Sequence, residues 1–250
     1  MRRRILITGA GSGIGLATAI RVAEEGAEVL LLGRRETLLE LAAARIRSAG
    51  GSARVIRADV SSEEDMTRAL SGVGRLDVVV ANAGICKQAR MDDPEARSTW
   101  REVLATNLDG VFHTLAASHA AIASGGRVIA VSSGLGKQGR AGYAAYTASK
   151  HGVIGLVRAL AKEWAPRSIC VNAVCPGWVD TEMALADLSR SAIAQRGSSA
   201  DARREAEGAI PLGRFVTPEE VAELIAWLAS PGASAMTGQA MNISGGEVTA

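Results

Sequence analysis

A serine, a tyrosine and a lysine fall within the short stretch Ser133 to Lys150, SGLGKQGRAGYAAYTASK. Tyr146 and Lys150 stand four residues apart on what reads as a helix, so one turn stacks the ammonium near the phenol. Ser133 precedes that helix, at the end of the apolar run Val128-Ile129-Ala130-Val131. A hydroxyl, a phenol and an amine can therefore converge, and the chemistry open to them is proton transfer to and from an oxygen. A free tyrosine titrates near ~10 and is a poor base at neutral pH. Lys150 beside it would favour the phenolate and lower that value. Tyr146 could then give a proton to a carbonyl oxygen or take one from an alcohol, with Ser133 holding the same oxygen as charge develops on it. Tyr143 competes for the role, but four residues after it stands Thr147 and no lysine, which assigns it to the pocket wall or to packing.

The elements that must position these groups alternate along the chain. Short apolar runs read as strands at Ile5–Ile7, Val29–Leu32, Arg54–Arg57, Leu76–Val80, Arg127–Val131, Cys170–Val174 and Ala240–Ile243. Runs apolar throughout are those of strands buried on both faces. Helical patterns lie between them: Val153, Leu156, Val157, Leu160 and Trp164 follow Lys150 at helical intervals. Thr217-Pro218-Glu219-Glu220 is a helix start with a cap, a proline at the first position and an acid three residues on. The alternation predicts an α/β fold: one Rossmann-type doubly wound domain over residues 1–250, a parallel seven-stranded sheet with helices on both faces. No linker or repeat interrupts it. The stretch 183–210, rich in Ala, Ser, Arg and Glu, reads as an inserted helical flap on the substrate side.

Composition narrows the class. The chain has 250 residues, 48% apolar and 22% charged, with 28 Lys and Arg against 26 Asp and Glu, which suits a soluble globular protein and makes no electrostatic case for nucleic acid. Arg2, Arg3 and Arg4 precede too few apolar residues for a secretion signal, and no membrane-length apolar run occurs, so a cytoplasmic location is expected. The three cysteines, Cys86, Cys170 and Cys175, leave an odd one under any pairing and suit reduced thiols. His113, His119 and His151 form no ligand cluster, and no metal site is expected.

Directly after the first strand comes Thr8-Gly9-Ala10-Gly11-Ser12-Gly13-Ile14-Gly15, opening a helix. Glycines there permit positive φ and let a pyrophosphate approach the helix N-terminus, where free N–H groups and the dipole favour anions. The spacing GxxxGxG resembles that of the short-chain dehydrogenase/reductase family, and the resemblance covers almost the whole chain. Asp59-Val60 resembles the family's adenine-contacting pair, and Asn82-Ala83-Gly84 its NAG motif. Ser133, Tyr146 and Lys150 fall at the family's catalytic spacing, and Asn107 in Thr106-Asn107-Leu108 matches its fourth catalytic residue. The resemblance gives Asn107 the task of holding a water that links Lys150 to solvent. Pro176-Gly177, with Val179 and Thr181, looks like the nicotinamide-side loop. Pro211-Leu212-Gly213-Arg214 and Gly245-Gly246 match C-terminal signatures. Ala81 stands where many members carry a second Asn. The binding set implied is therefore Gly9, Ser12, Gly13, Ile14, Gly15, Arg34, Asp59, Val60, Asn82, Ala83, Gly84, Tyr146, Lys150, Pro176, Gly177, Val179 and Thr181. In such a site the positive ring of the oxidised nicotinamide would add to Lys150 in favouring phenolate.

The second strand ends Leu32-Gly33-Arg34-Arg35, with Gly33 where an NAD-preferring protein of this type puts an acid. A guanidinium at Arg34 suits a 2′-phosphate, which points to NADPH with NADH as the alternative. Residues after strands four to six should line the substrate side: Cys86, Lys87 and Gln88, then Gly134 to Arg140, then Trp178, Met183 and Leu185. The resemblance leans toward reductases of 3-oxoacyl thioesters and polyketide ketones, acting on a small-molecule carbonyl. An NAD-dependent alcohol, diol or sugar dehydrogenase running oxidatively is the alternative, and a non-catalytic nucleotide sensor a third. It also implies a homotetramer.

Overall fold

The computed structural model describes residues 2–195 and 198–249. Strands and helices alternate as β1 (Arg4–Thr8), α1 (Gly13–Glu24), β2 (Glu28–Gly33), α2 (Glu36–Ser48), β3 (Ser52–Arg57), α3 (Glu63–Leu70) and β4 (Leu76–Ala81). Then come α4 (Ala96–Leu104), α5 (Gly110–Ser118), β5 (Ile122–Val131), α6 (Ala144–Glu163) and β6 (Cys170–Pro176). The chain ends with α7 (Glu182–Gln195), α8 (Ser199–Gly208), α9 (Pro218–Ala229) and β7 (Ala240–Ile243). The seven strands form one parallel sheet in the order β3-β2-β1-β4-β5-β6-β7. This is the Rossmann-like doubly wound sheet that the alternation predicts. The chain reverses direction across the sheet between β1 and β4, and ligands of open α/β sheets lie at the C-terminal strand ends beside such a reversal.

Two apolar layers hold the sheet. On one face Ile5, Ile7, Val29, Leu31 and Val80 pack against α1, α2 and α9; on the other Leu6, Leu30, Val79, Val128 and Val171 pack against α3, α5 and α6. Alternate residues of one strand serve opposite layers, which is why the strands are apolar at every position. On α6 the expected apolar face is present, with Val153, Val157 and Trp164 buried and Leu156 and Leu160 partly so. α9 starts on the expected capping box: Glu220 N–H donates to Thr217 Oγ1 at 3.2 Å and Thr217 N–H to Glu220 Oε2 at 2.8 Å.

Most strands run one to five residues beyond the sequence expectation, β5 the furthest. β5 starts at Ile122, five residues before Arg127, because Ile122 pairs with Leu76 ahead of a register shift and Gly125 takes φ 78°. The stretch 183–210 folds as α7 and α8, seated on a small cluster of Ala184, Leu188, Ile210 and Phe215. Residues 196 and 197 of that flap, like Met1 and Ala250, lie outside the described residues. Among the described residues no helix is long and apolar enough to cross a membrane.

Candidate active site

The turn after β1 is shaped by glycines in two different ways. Gly9 takes φ 67° and its N–H donates to Leu32 O at 2.8 Å; a Cβ there would lie 2.9 Å from Ala83 Cα. At Gly15 a Cβ would collide with the Gly9 carbonyl oxygen and lie 2.6 Å from Asn82 Nδ2. Gly15 therefore packs α1 onto the turn and does not line the cleft, whereas Gly9, Ser12, Gly13 and Ile14 do. Ser12 is the N-cap of α1, yet its hydroxyl makes no bond to the helix and accepts instead from Arg35 Nη2 at 2.9 Å. No side chain thus caps the first-turn N–H groups of α1, which open on the cleft as an anion seat. Thr8 Oγ1 accepts from the N–H groups of Asn82 and Ala83, both at 3.0 Å, and Asn82 Nδ2 donates to Thr8 O at 2.9 Å. These bonds join the exits of β1 and β4, so Asn82, Ala83 and Gly84 form the next stretch of cleft wall.

At the far end of the cradle lie Gly33, Arg34 and Arg35. Arg34 is 58% exposed, with Nη1 3.4 Å from Asp59 Oδ2. Burial pushes the Asp59 carboxyl up, but bonds from the Ser61 N–H and hydroxyl, together with Arg34, outweigh it and hold the group below the usual carboxylate range. Asp59 does not line the cleft; its neighbours Ala58 and Val60 do, because the carboxylate is turned toward Ser61 and Arg34. Arg35 went unseen in the sequence beside Arg34. Its signal was the Arg-Arg pair at the end of β2, and only the fold brings it to Ser12 across 23 positions.

The inner end of the cleft gathers from three elements. Ser133 follows β5 and caps the short turn Gly134–Gly136, its Oγ accepting from Leu135 N–H at 3.1 Å. It is also near enough to the Tyr146 phenol to oppose the rise in its pKa. Lys150, one turn along α6, puts Nζ 5.6 Å from the Tyr146 ring centroid and donates to Val131 O at 2.8 Å. Asn107 sits in a π-helical turn, Ala105–Asp109, between α4 and α5, and is fully buried. Such turns recur at functional sites. Asn107 clamps the loop after β4, with Oδ1 accepting from Ile85 N–H at 2.8 Å and Nδ2 donating to Ile85 O at 2.9 Å. A Cβ on Gly84 would lie 3.4 Å from Asn107 Oδ1 and 3.5 Å from Lys150 Nζ, so these three expected residues do meet.

Burial pulls Lys150 down to about 8. It pushes Tyr146 well up, and the neighbouring Cys86 and Asp187 add to that while Ser133 opposes it. In the protein alone burial is the largest influence on Tyr146 and holds its value up; the lowering expected from Lys150 together with the oxidised nicotinamide ring belongs to the complex with nucleotide. Tyr146 stays protonated at neutral pH, the form that can donate.

Beyond this end the cleft, of about 560 Å³, widens toward α7. Pro176, Gly177, Val179 and Thr181 line one side, with Gly177 N–H donating to Ile243 O at 3.1 Å and Thr181 Oγ1 accepting from Ala184 N–H at 3.3 Å. Cys86, Arg140, Trp178 and Met183 also line it. Lys87, Lys137 and Leu185 do not: Lys87 is exposed and paired with Glu102 at 2.6 Å. Of the basic residues on these loops, Lys87, Lys137 and Arg140, Arg140 lines the cleft, stacked 5.3 Å from the Trp178 ring centroid and paired with Glu247 at 3.2 Å. Tyr143 is a wall residue as expected, but its hydroxyl donates to Asp187, a partner on α7 that carries no sequence motif. Among the described residues no group of three or more His, Cys, Asp or Glu is placed to hold a metal ion.

A family model described as enoyl-(acyl carrier protein) reductase matches residues 9–247. The chain is similar to the 3-oxoacyl-[acyl-carrier-protein] reductase FabG of Thermotoga maritima, 37% identical over 252 residues, covering 97% of this chain and 96% of that one. It is 40% identical over 253 residues to the cis-4-hydroxycyclohexanecarboxylate dehydrogenase of Sinomonas cyclohexanicum, covering 98% and 96%. A crystal structure of a tryptophan-substituted actinorhodin polyketide ketoreductase with NADPH superposes with a TM-score of 0.92 at 39% identity, covering 98% of this chain and 97% of that one. A glycine cradle under an uncapped helix, continuous with an end lined by Ser133, Tyr146 and Lys150, on this sheet and with these relatives, makes the chain a member of the short-chain dehydrogenase/reductase family and an NAD(P)-dependent oxidoreductase.

Proposed function

We propose that the chain reduces a ketone to a secondary alcohol, with NADPH as the hydride source and Tyr146 as the proton donor. The observation that carries this is the placement of a half-buried Tyr146, with Lys150 Nζ 5.6 Å from its ring centroid and Ser133 on the same wall, at the inner end of a cleft that begins at the α1 anion seat. The cradle fits a dinucleotide: Gly9 to Ile14 would hold the pyrophosphate, and Val60, Ala83 and Gly84 would flank the adenosine and ribose. Pro176 to Thr181 would face the nicotinamide. When bound, the cofactor supplies the hydride. Tyr146 hands its proton to the carbonyl oxygen, and Ser133 steadies that oxygen as negative charge collects on it. Asn107 keeps the loop after β4 against Lys150, the amine through which the proton on Tyr146 is replaced.

Preference for NADPH follows from Arg34 and Arg35 at the end of β2, with no carboxylate at Gly33 to repel a 2′-phosphate. The substrate class is a 3-oxoacyl thioester or polyketide-like ketone, supported by the activities named for the Thermotoga maritima relative and the actinorhodin ketoreductase. Alcohol oxidation is the second reading, favoured by the dehydrogenase of Sinomonas cyclohexanicum.

Initial rates of NADPH and NADH consumption over ketones and acyl thioesters test both. NADPH should be preferred at least about tenfold, and Arg35→Ala together with Arg34→Ala should remove most of that margin. Tyr146→Phe should bind NADPH normally and lose about 100-fold or more in turnover. Near-normal turnover in that variant would end the proton-donor assignment.

A further inference from the structure

Asp187 is a buried carboxylate, 4% exposed, that the hydride-transfer chemistry does not use. It lies on α7, and donors from separate parts of the chain converge on it. The Tyr143 hydroxyl, just ahead of α6, donates to Oδ2 at 2.6 Å. Gln88, in the loop after β4, donates through Nε2 to Oδ1 at 3.0 Å and to the Tyr143 oxygen at 2.5 Å. Arg190, one turn along α7, donates to Oδ1 at 3.0 Å and to Cys86 O at 3.1 Å, while Cys86 Sγ lies 3.8 Å from Oδ1.

A buried charge costs several kcal/mol unless donors replace its water. Arg190 travels with Asp187 on α7, but Tyr143 and Gln88 reach the carboxylate only while α7 is seated, because they belong to other parts of the chain. Among the described residues the apolar anchor of α7 is Ala184 and Leu188 against Ile210 and Phe215, with Trp178, Ala202 and Ala206 packed on them. Tyr143 is also the cleft wall three residues before Tyr146, with Arg140 5.6 Å above its ring. Burial and then Asp187 keep the Tyr143 phenol protonated, and the same two causes push Cys86 up to about 12, so both stay donors toward the carboxylate.

We propose that Asp187 is a positioning residue that latches α7 over the cleft and orients Tyr143, and so sets the space left for substrate beside Tyr146. It rests on the reading of Tyr146 as the reacting end of the cleft. Asp187→Asn keeps the shape but offers one acceptor oxygen and turns an NH₂ toward groups that are themselves donors.

The test uses the NADPH complex, with hydrogen exchange over residues 182–190 and steady-state rates with ethyl acetoacetate as probe. Asp187→Asn should speed exchange in that segment about tenfold or more, leave NADPH affinity within about twofold, and raise KM about tenfold with kcat changed less than about threefold. Tyr143→Phe should move both readouts the same way by less, and adding it to Asp187→Asn should change little, since the two lose one shared interaction. Unchanged flap exchange in Asp187→Asn would overturn the latch. So would a uniform rise in exchange across the protein, which would mark a general loss of stability. If Asp187→Asn fails to fold, Tyr143→Phe carries the same two readouts. An active Tyr146→Phe would instead refute the proton-donor reading and leave the exchange result standing, and that exchange result needs no turnover.

Discussion

Lys150 carries its ammonium into the protein interior, with Val131 O at 2.8 Å as its acceptor, and titrates at about 8 in place of an ordinary 10.5. An unfolded chain keeps that proton to near 10.5, whereas the folded chain sheds it from about 8. Between those values the unfolded state binds more protons, so the stability contributed at this position rises with pH; below about 8 the cost of burying the charge is fully present. Lys150→Met removes the charge. Its stability relative to the unsubstituted protein, measured without nucleotide by urea unfolding, should therefore be greatest near pH 7 and decline as pH climbs toward 10. A difference that does not vary with pH would contradict the burial of a charged lysine. The same burial keeps Tyr146 protonated, which suits it to donation. Tyr146 and Lys150 were legible as a pair from their spacing alone. The sign of the shift on Tyr146 in the protein alone was not, because desolvation depends on what surrounds the helix and not on what lies along it.

At the level of elements, the site is made by strand ends and by the first turns that follow them. The Gly-rich run was readable as a phosphate turn, but the division of labour inside it was not: Gly9 supplies positive φ, while Gly15 supplies the close approach of α1 to the turn and to Asn82. Gly15→Ala forces the turn apart, since its Cβ meets backbone that has no room to yield. It should cost about 1–3 kcal/mol in thermal or denaturant unfolding and weaken NADPH binding about tenfold or more by calorimetric titration. Normal NADPH affinity in that variant would mean that the cradle tolerates a displaced α1. The register shift that lengthens β5 left no pattern in the sequence, because it follows from pairing with β4, and the π turn that holds Asn107 left none either.

Seen as a whole, the molecule covers both faces of its sheet yet leaves large apolar side chains in water. Trp100 on α4 and Phe112 on α5 are 42% and 53% exposed, and Trp227 on α9, against the opposite face, is 43% exposed. Apolar side chains left out on both sides fit burial between copies of the chain. We propose a homotetramer, for which light scattering at micromolar concentration should return a mass near four times 25.8 kDa. A mass of one chain would refute it. Replacing Phe112 and Trp100 together by polar residues should shift the mass downward.

The sequence by itself determined the alternation of strands and helices, the phosphate turn, and the Tyr146 and Lys150 pair with Ser133 at the preceding strand end, because these depend on local periodicity, glycine conformation and short spacing along the chain. Tertiary structure alone decided the rest. It turned Asp59 toward Ser61 and Arg34, brought Arg35 to Ser12, and left Lys87 outside the cleft. It set the protonation of Tyr146 by burial, and it joined Asp187 to Tyr143 and Gln88 across 44 and 99 positions of chain. Hydrogen bonds and desolvation between distant segments exist only once the sheet has placed those segments side by side, and no short-range pattern encodes them.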